Sequence, residues 1–251
     1  MVKTRVQAFG IHLGISTVIF IGLLAMLYYS WFPDFLFATD GGWDGVKILI
    51  GVDLVLGPLL TLVVYKHGKP RLKFDLTVIA LLQSVCLIAG MSLVHSQRPL
   101  AIVYVDEHFY SLSSDSFSNA GLSVPDFSKF PGSSPKWLAV DIPTDVFEQS
   151  AIRQSSMQKG IRLRLLAERY MPFAPNQDFL NSGFDQKELI DRDRDSQAIP
   201  EWLATHGGSV DDYIFYPFGA RYKYAFLGFH RANGALVGLL DTAREPTVEN
   251  P

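Results

Sequence analysis

The sequence predicts a membrane protein: three N-terminal transmembrane α-helices followed by an extracytoplasmic α+β domain with an antiparallel β-meander. Three observations lead there. Phe9 to Trp31 is a run of 23 residues without a formal charge, long enough to cross a ~30 Å hydrocarbon core at ~1.5 Å per residue. Two comparable runs follow, Val46–Tyr65 and Leu76–Val94, and nothing after Ser96 approaches their length. Near the C-terminus, Tyr213–Phe218, Tyr222–Phe229 and Ala235–Leu240 are rich in aromatic and branched residues and separated by turn formers, the pattern of consecutive hairpins. The chain thus divides into a transmembrane domain, residues 1–95, with spans at about 9–31, 46–65 and 76–94, and a second domain, residues 96–251.

Lys and Arg placement sets the orientation. Lys3 and Arg5 precede the first span, and Lys66, Lys69, Arg71 and Lys73 fill the loop between the second and third. The loop between the first two carries Asp34, Asp40 and Asp44 against Lys47. The positive-inside rule puts the N-terminus and the 66–73 loop in the cytoplasm, and residues 96–251 outside. Tyr28, Tyr29, Trp31, Phe32, Phe35 and Trp43 form the matching aromatic belt. The first run exceeds the ~7–15 apolar residues of a cleaved signal and lacks a small-residue cleavage site, so it is expected to stay as an anchor.

The second span holds the least usual stretch of the chain, Gly51-Val52-Asp53-Leu54-Val55-Leu56-Gly57-Pro58. An Asp near a helix centre costs ~2.5–3.5 kcal/mol, against a gain of roughly 0.3–0.6 for each Leu, Ile, Phe or Val. Thirteen Leu, Ile and Val residues in this run outweigh it. Pro58 has no N–H to offer the Leu54 carbonyl, so a kink is expected near Leu54 to Gly57. Asp53, Gly57 and Thr61 share one helical face, a small and polar stripe suited to close approach of another helix. Gly51, Asp53, Gly57, Pro58 and Thr61 are therefore the candidate binding residues, serving transmembrane helix packing or contact with a partner. Two roles are open to Asp53: an internal hydrogen bond within the bundle, or recognition of another protein's helix. Gly10-x-x-x-Gly14 and Cys86-x-x-x-Gly90 add small-residue faces on the first and third spans.

Beyond the Ser96–Pro99 linker, Leu100–Val105 reads as a strand, with Asp106-Glu107 turning it into a second, His108–Leu112. Ser113 to Pro135, heavy in Ser, Pro, Gly and Asp, reads as a long loop. Trp137–Asp141 is a short strand, and a helix runs from Thr144 as N-cap to Gly160. Ile161–Leu165 alternates like a strand, while the following Leu166–Arg169 suits a helix, which leaves that stretch open. The charged run Phe184–Gln197 reads as a solvated helix or loop, and Ile199–His206 as a helix stopped by Gly207-Gly208.

Catalytic signatures are missing: no H-E-x-x-H, C-x-x-C, G-x-S-x-G, P-loop or dinucleotide-binding glycine run occurs. The six histidines are scattered without metal-ligand spacing. The chain is thus expected to be no enzyme and to carry no metal or cofactor. Cys86, the sole cysteine, lies in the third span, so no intrachain disulfide supports the second domain. That domain has 15 Lys and Arg against 20 Asp and Glu, a net charge of −5, and no basic cluster stands out in it. Nucleic acid is therefore not the expected partner.

Asp40-Gly41-Gly42-Trp43-Asp44-Gly45, then Ile50 to Val64 with its Gly-Val-Asp-Leu-Val-Leu-Gly-Pro core, then Lys69-Pro70-Arg71-Leu72-Lys73-Phe74-Asp75-Leu76 form an ordered set. In these motifs the first hundred residues resemble the TfpX/TfpZ family of type IV pilin accessory proteins, which are similar to the fimbrial assembly protein FimB. The resemblance implies an inner-membrane protein with a periplasmic domain that assists assembly or surface display of a major type IV pilin, without enzymatic activity. It supplies no site residues. On that reading the helices hold the pilin's apolar helix, the outer domain meets its globular head, and the pilus assembly machinery is a further partner. The alternative is a membrane-anchored periplasmic sensor or regulatory subunit acting through another membrane protein.

Overall fold

The structure is a computed structural model and describes residues 4–184, 189 and 197–241. It divides into two compact units, Met1–Arg98 and Pro99–Pro251.

In the first unit, α1 (Arg5–Met26) starts at a capping box: the Thr4 hydroxyl accepts from the Gln7 N–H at 3.1 Å, and the Gln7 side chain accepts from the Thr4 N–H at 3.3 Å. The helix continues through a π-helical turn, Leu27–Trp31. After the short α2 (Leu36–Thr39), a second long helix is built from α3 (Gly42–Leu49), a π-helical segment (Ile50–Leu56) and α4 (Gly57–Val64). The third is α5 (Leu72–Gln97). Three helices, Arg5–Trp31, Gly42–Val64 and Leu72–Gln97, are long and apolar enough to cross a membrane. Each starts several residues before the run that marks it in the sequence, because polar ends add helical turns outside the apolar stretch. The irregularity expected ahead of Pro58 takes a π-helical form, the Gly57 N–H reaching back five residues to the Val52 carbonyl. Apolar side chains such as Val6, Ile15, Val18, Val63, Leu81 and Ile88 point outward and are exposed. One end of the bundle closes on Leu27, Phe32, Phe37, Val46, Leu49 and Val94. Gly45 sits against Leu27 and Val94, where a Cβ would collide.

The second unit is built on a seven-stranded sheet of β1 (Ala101–Val105), β2 (His108–Leu112), β3 (Lys136–Val140), β4 (Tyr170–Pro172), β5 (Tyr213–Gly219), β6 (Tyr224–His230) and β7 (Leu236–Leu240), in the order β4-β3-β1-β2-β5-β6-β7. It is mixed, not antiparallel throughout. β5, β6 and β7 do pair antiparallel in chain order, but β1 runs parallel to β3 and β2 parallel to β5. Parallel pairing joins strands distant in the chain, and no hairpin signal marks it. β2 meets β5 only at Phe218 and Gly219, beyond Pro217, which has no N–H for a ladder.

Both faces of the sheet are covered. On one, Val103, Val105, Leu112, Leu138 and Val140 pack with Phe117 of α6 (Ser114–Ser118) and with Leu165. The same face of β5–β7 packs on Trp202 of α9 (Ala198–His206). On the other, Tyr104, Phe109, Tyr216 and Phe229 meet Phe173 and Phe179, the latter from α8 (Gln177–Asn181) and stacked on Tyr216 at 4.4 Å.

Several local expectations change. The 113–135 stretch is not loop throughout, because α6 occupies its start on a Ser113–Ser116 capping box. α7 (Val146–Lys159) is capped by Asp145 rather than Thr144, its carboxylate accepting from Phe147 and Glu148 N–H. Residues 161–169 form two 3₁₀ turns, not a strand, and the chain pairs only afterwards, as β4. The charged run 184–197, apart from Phe184, Leu189 and Gln197, lies outside the described residues.

Candidate functional site

The apolar helices enclose a chain of polar side chains. Asp53, on the π-helical segment, is 1% exposed. Its Oδ1 accepts from Ser16 Oγ of α1 at 3.2 Å and from Gln83 Nε2 of α5. Gln83 Oε1 lies 2.9 Å from His12 Nε2, and His12 Nδ1 lies 2.6 Å from Thr61 Oγ1 on α4. All three long helices thus contribute to one network.

Valence chemistry fixes its direction. Oδ1 is the acceptor in both contacts, so the Gln83 amide must turn its NH₂ toward Asp53 and its oxygen toward His12. His12 Nε2 must then carry a proton to donate to that oxygen. In a neutral imidazole Nδ1 is left as acceptor for the Thr61 hydroxyl. Donation runs from Thr61 to His12, from His12 to Gln83 and from Gln83 to Asp53, the final acceptor. At the end, Asp53 Oδ2 is buried with no hydrogen-bond partner among the described residues.

The local sequence makes room for this. A Cβ on Gly57 would run into the Gln83 carboxamide, so Gly57 is the gap through which the third helix inserts its amide. Pro58, buried, lies in the first turn of α4, directly after the π-helical segment, so its missing N–H falls where the regular α-helical ladder is already interrupted. Thr61 is 4% exposed. Asp53, Gly57 and Thr61, read as one stripe, do share a buried face, and that face turns toward the protein's own helices. Gly51 is not part of it: a Cβ there meets nothing within 4 Å.

Ser16, His12 and Gln83 escaped the sequence reading. Gln83 carried a visible signal, an amide within Leu81-Leu82-Gln83-Ser84-Val85, where an uncharged polar group in hydrocarbon calls for an interhelical partner. Gly10 and Gly14 face away from the bundle, with nothing within 4 Å of an added Cβ, whereas Gly90 packs against Ile48. Among the described residues no group of three or more His, Cys, Asp or Glu is placed to hold a metal ion.

The molecule is therefore a bundle of three membrane-length apolar helices, pinned by buried polar contacts and followed by a mixed α+β unit. Its sequence is 29% identical over 136 residues to the fimbrial assembly protein of serogroup E1 of Dichelobacter nodosus, 52% of each chain, and equally to that of serogroup I. The protein of serogroups C1 and C2 from the same organism is 30% identical over 98 residues, 38% of this chain and 74% of that one. The chain belongs to this family of fimbrial assembly proteins. The match spans about half the length of the first two relatives. No protein-family model and no solved structure matches the chain.

Proposed function

We propose that this protein is an accessory factor for type IV pilus biogenesis of the TfpX/TfpZ kind, which binds a major pilin and assists its assembly or surface display. The carrying observation is its kinship to proteins named for fimbrial assembly. Three membrane-length helices followed by a folded unit support it, because a membrane-held pilin offers one long apolar helix and a globular head. In this reading the helices cross the bacterial inner membrane with the N-terminus in the cytoplasm and residues 96–251 in the periplasm. The protein works by binding, without catalysis or cofactor.

On this reading the pilin contact lies away from the Asp53 stripe. Asp53, Gly57 and Thr61 face inward and set the shape of the bundle, while the open Gly10 and Gly14 face of α1 offers close approach to a second helix. In the second unit, Phe147 at the start of α7 is 86% exposed and is the matching probe point for the head. Photoreactive residues at Ile11, which is exposed beside the Gly10–Gly14 face, and at Phe147 test this in the native host. Crosslinks from both to the major pilin are expected. Membrane-inserted protein giving pilin crosslinks from neither overturns pilin binding and favours a sensor or regulatory subunit.

A further inference from the structure

The second unit contains an electropositive cavity that pilus assembly does not explain. Between the β1–β2 turn, the end of α7 and the first 3₁₀ turn after it lies a space of about 350 Å³ lined by Arg153, Arg162 and Arg164, with Asp106 as its one carboxylate. The cations come from a short stretch: residues 153–169 hold Arg153, Lys159, Arg162, Arg164 and Arg169 against Glu168 alone. A net charge of −5 over the whole domain conceals this local cluster.

The cavity is built rather than incidental. Asp106 and Glu107 form the two-residue turn between β1 and β2, both at positive φ, 51° and 59°. This presents the Asp106 carboxylate to Arg153, which grips it with two parallel bonds of 2.7 and 2.8 Å. Arg164 is half-buried over the Tyr110 ring, 4.5 Å from its centre. The Tyr170 hydroxyl donates to the Arg164 carbonyl at 2.5 Å and holds that backbone. Burial first, and neighbouring Arg162 second, pull the Arg164 guanidinium below its ordinary pKa. Tyr110 supports this half-buried cation by charge and hydrogen bond, and an anion bound beside it adds to that support.

We propose that this cavity binds a phosphate monoester carrying a small organic group. Three guanidinium groups less one carboxylate leave two positive charges, and a monoester carries about −1.5 to −2 at neutral pH. Arg is the side chain whose planar fork matches phosphate oxygens. The space is near the lower bound, roughly 300 Å³, of small-ligand pockets. It exceeds a bare phosphate and is walled by Ile161 and Leu163, which suit an organic moiety. The same chemistry is offered by a soluble ester and by a phospholipid with a monoester headgroup.

Calorimetric titration of the full chain in a neutral detergent decides between them, with glycerol 3-phosphate, dihexanoyl phosphatidic acid and succinate as probes. Binding of a phosphate probe is expected to weaken about tenfold or more in R162Q and in R164Q, and to be unchanged in K129Q, which lies outside the cavity. R162Q alters an exposed side chain and decides the matter if R164Q does not fold. Equal binding of both phosphate probes supports a soluble ester, and binding of phosphatidic acid alone supports the lipid. The proposal is overturned if neither phosphate probe binds, if succinate binds as tightly, or if R162Q binds like the parent.

Discussion

Two glycines six residues apart in one motif have opposite physical roles. Gly57 leaves space for the Gln83 amide, and Gly51 faces open space. Gly57→Ala is therefore expected to destabilise the bundle by about 1–3 kcal/mol, since a methyl group there must displace a bonded side chain. Gly51→Ala should be neutral or stabilising by up to about 1 kcal/mol, the usual helical difference between the two residues. Denaturation of the full chain in mixed detergent micelles measures both, and equal effects would refute the assigned geometry. Gln83→Leu removes the link between His12 and Asp53 and should cost about 1–3 kcal/mol in the same assay. Asp53 was legible as an anomaly because a carboxyl among Leu and Val stands out. Its partners were not, because they lie 37 and 30 residues away and helix rotation, which apolar periodicity leaves loose in an all-apolar span, decides who meets whom.

At the scale of elements, the β1–β2 hairpin carries a measurable strain. Glu107 sits in the left-handed region at φ 59°, which costs an L-residue roughly 1–2 kcal/mol, while glycine gives back part of that as unfolded-state freedom. Glu107→Gly should raise stability by about 0.5–1 kcal/mol, read as a higher midpoint in thermal or urea unfolding. The strands β1, β2, β5, β6 and β7 were visible through branched and aromatic runs. β4 was not, because three residues are too few for periodicity, and its pairing with β3 depends on the preceding 3₁₀ turns bringing Tyr170 opposite Val140. Burial, with Glu168 adding to it, holds the Tyr170 hydroxyl well above its ordinary pKa of about 10. The folded state therefore keeps this proton when the unfolded chain has lost it. Stability from this group is complete below pH ~10 and falls above it, by up to about 1.4 kcal/mol per pH unit. Tyr170→Phe should flatten that alkaline decline while losing the bond to the Arg164 carbonyl. An unchanged slope between pH 10 and 11 would assign the decline to other groups.

For the whole molecule, the proposed topology is open to a direct test. In a Cys86→Ser background, single cysteines replace Gly68, between the second and third helices, and Phe147, on α7. An impermeant maleimide applied to spheroplasts should label the Phe147 position and spare the Gly68 position until the membrane is opened. The reverse pattern would invert the orientation drawn from Lys and Arg placement.

The amino-acid order alone determined the number and position of the membrane-length helices, the residues of most strands, and the likeness to fimbrial assembly proteins. These follow from uninterrupted apolar length, alternation and local motif, all short-range properties of the chain. The tertiary structure alone decided that the Asp53 stripe turns inward, that Gln83 and His12 hydrogen-bond to it, that the sheet is mixed, and that three arginines converge on one cavity. All but the last depend on groups far apart in the chain meeting in space, and the arginines, though close in sequence, meet Asp106 from the distant β1–β2 turn. Packing and hydrogen-bond satisfaction select that meeting, and no local pattern records it.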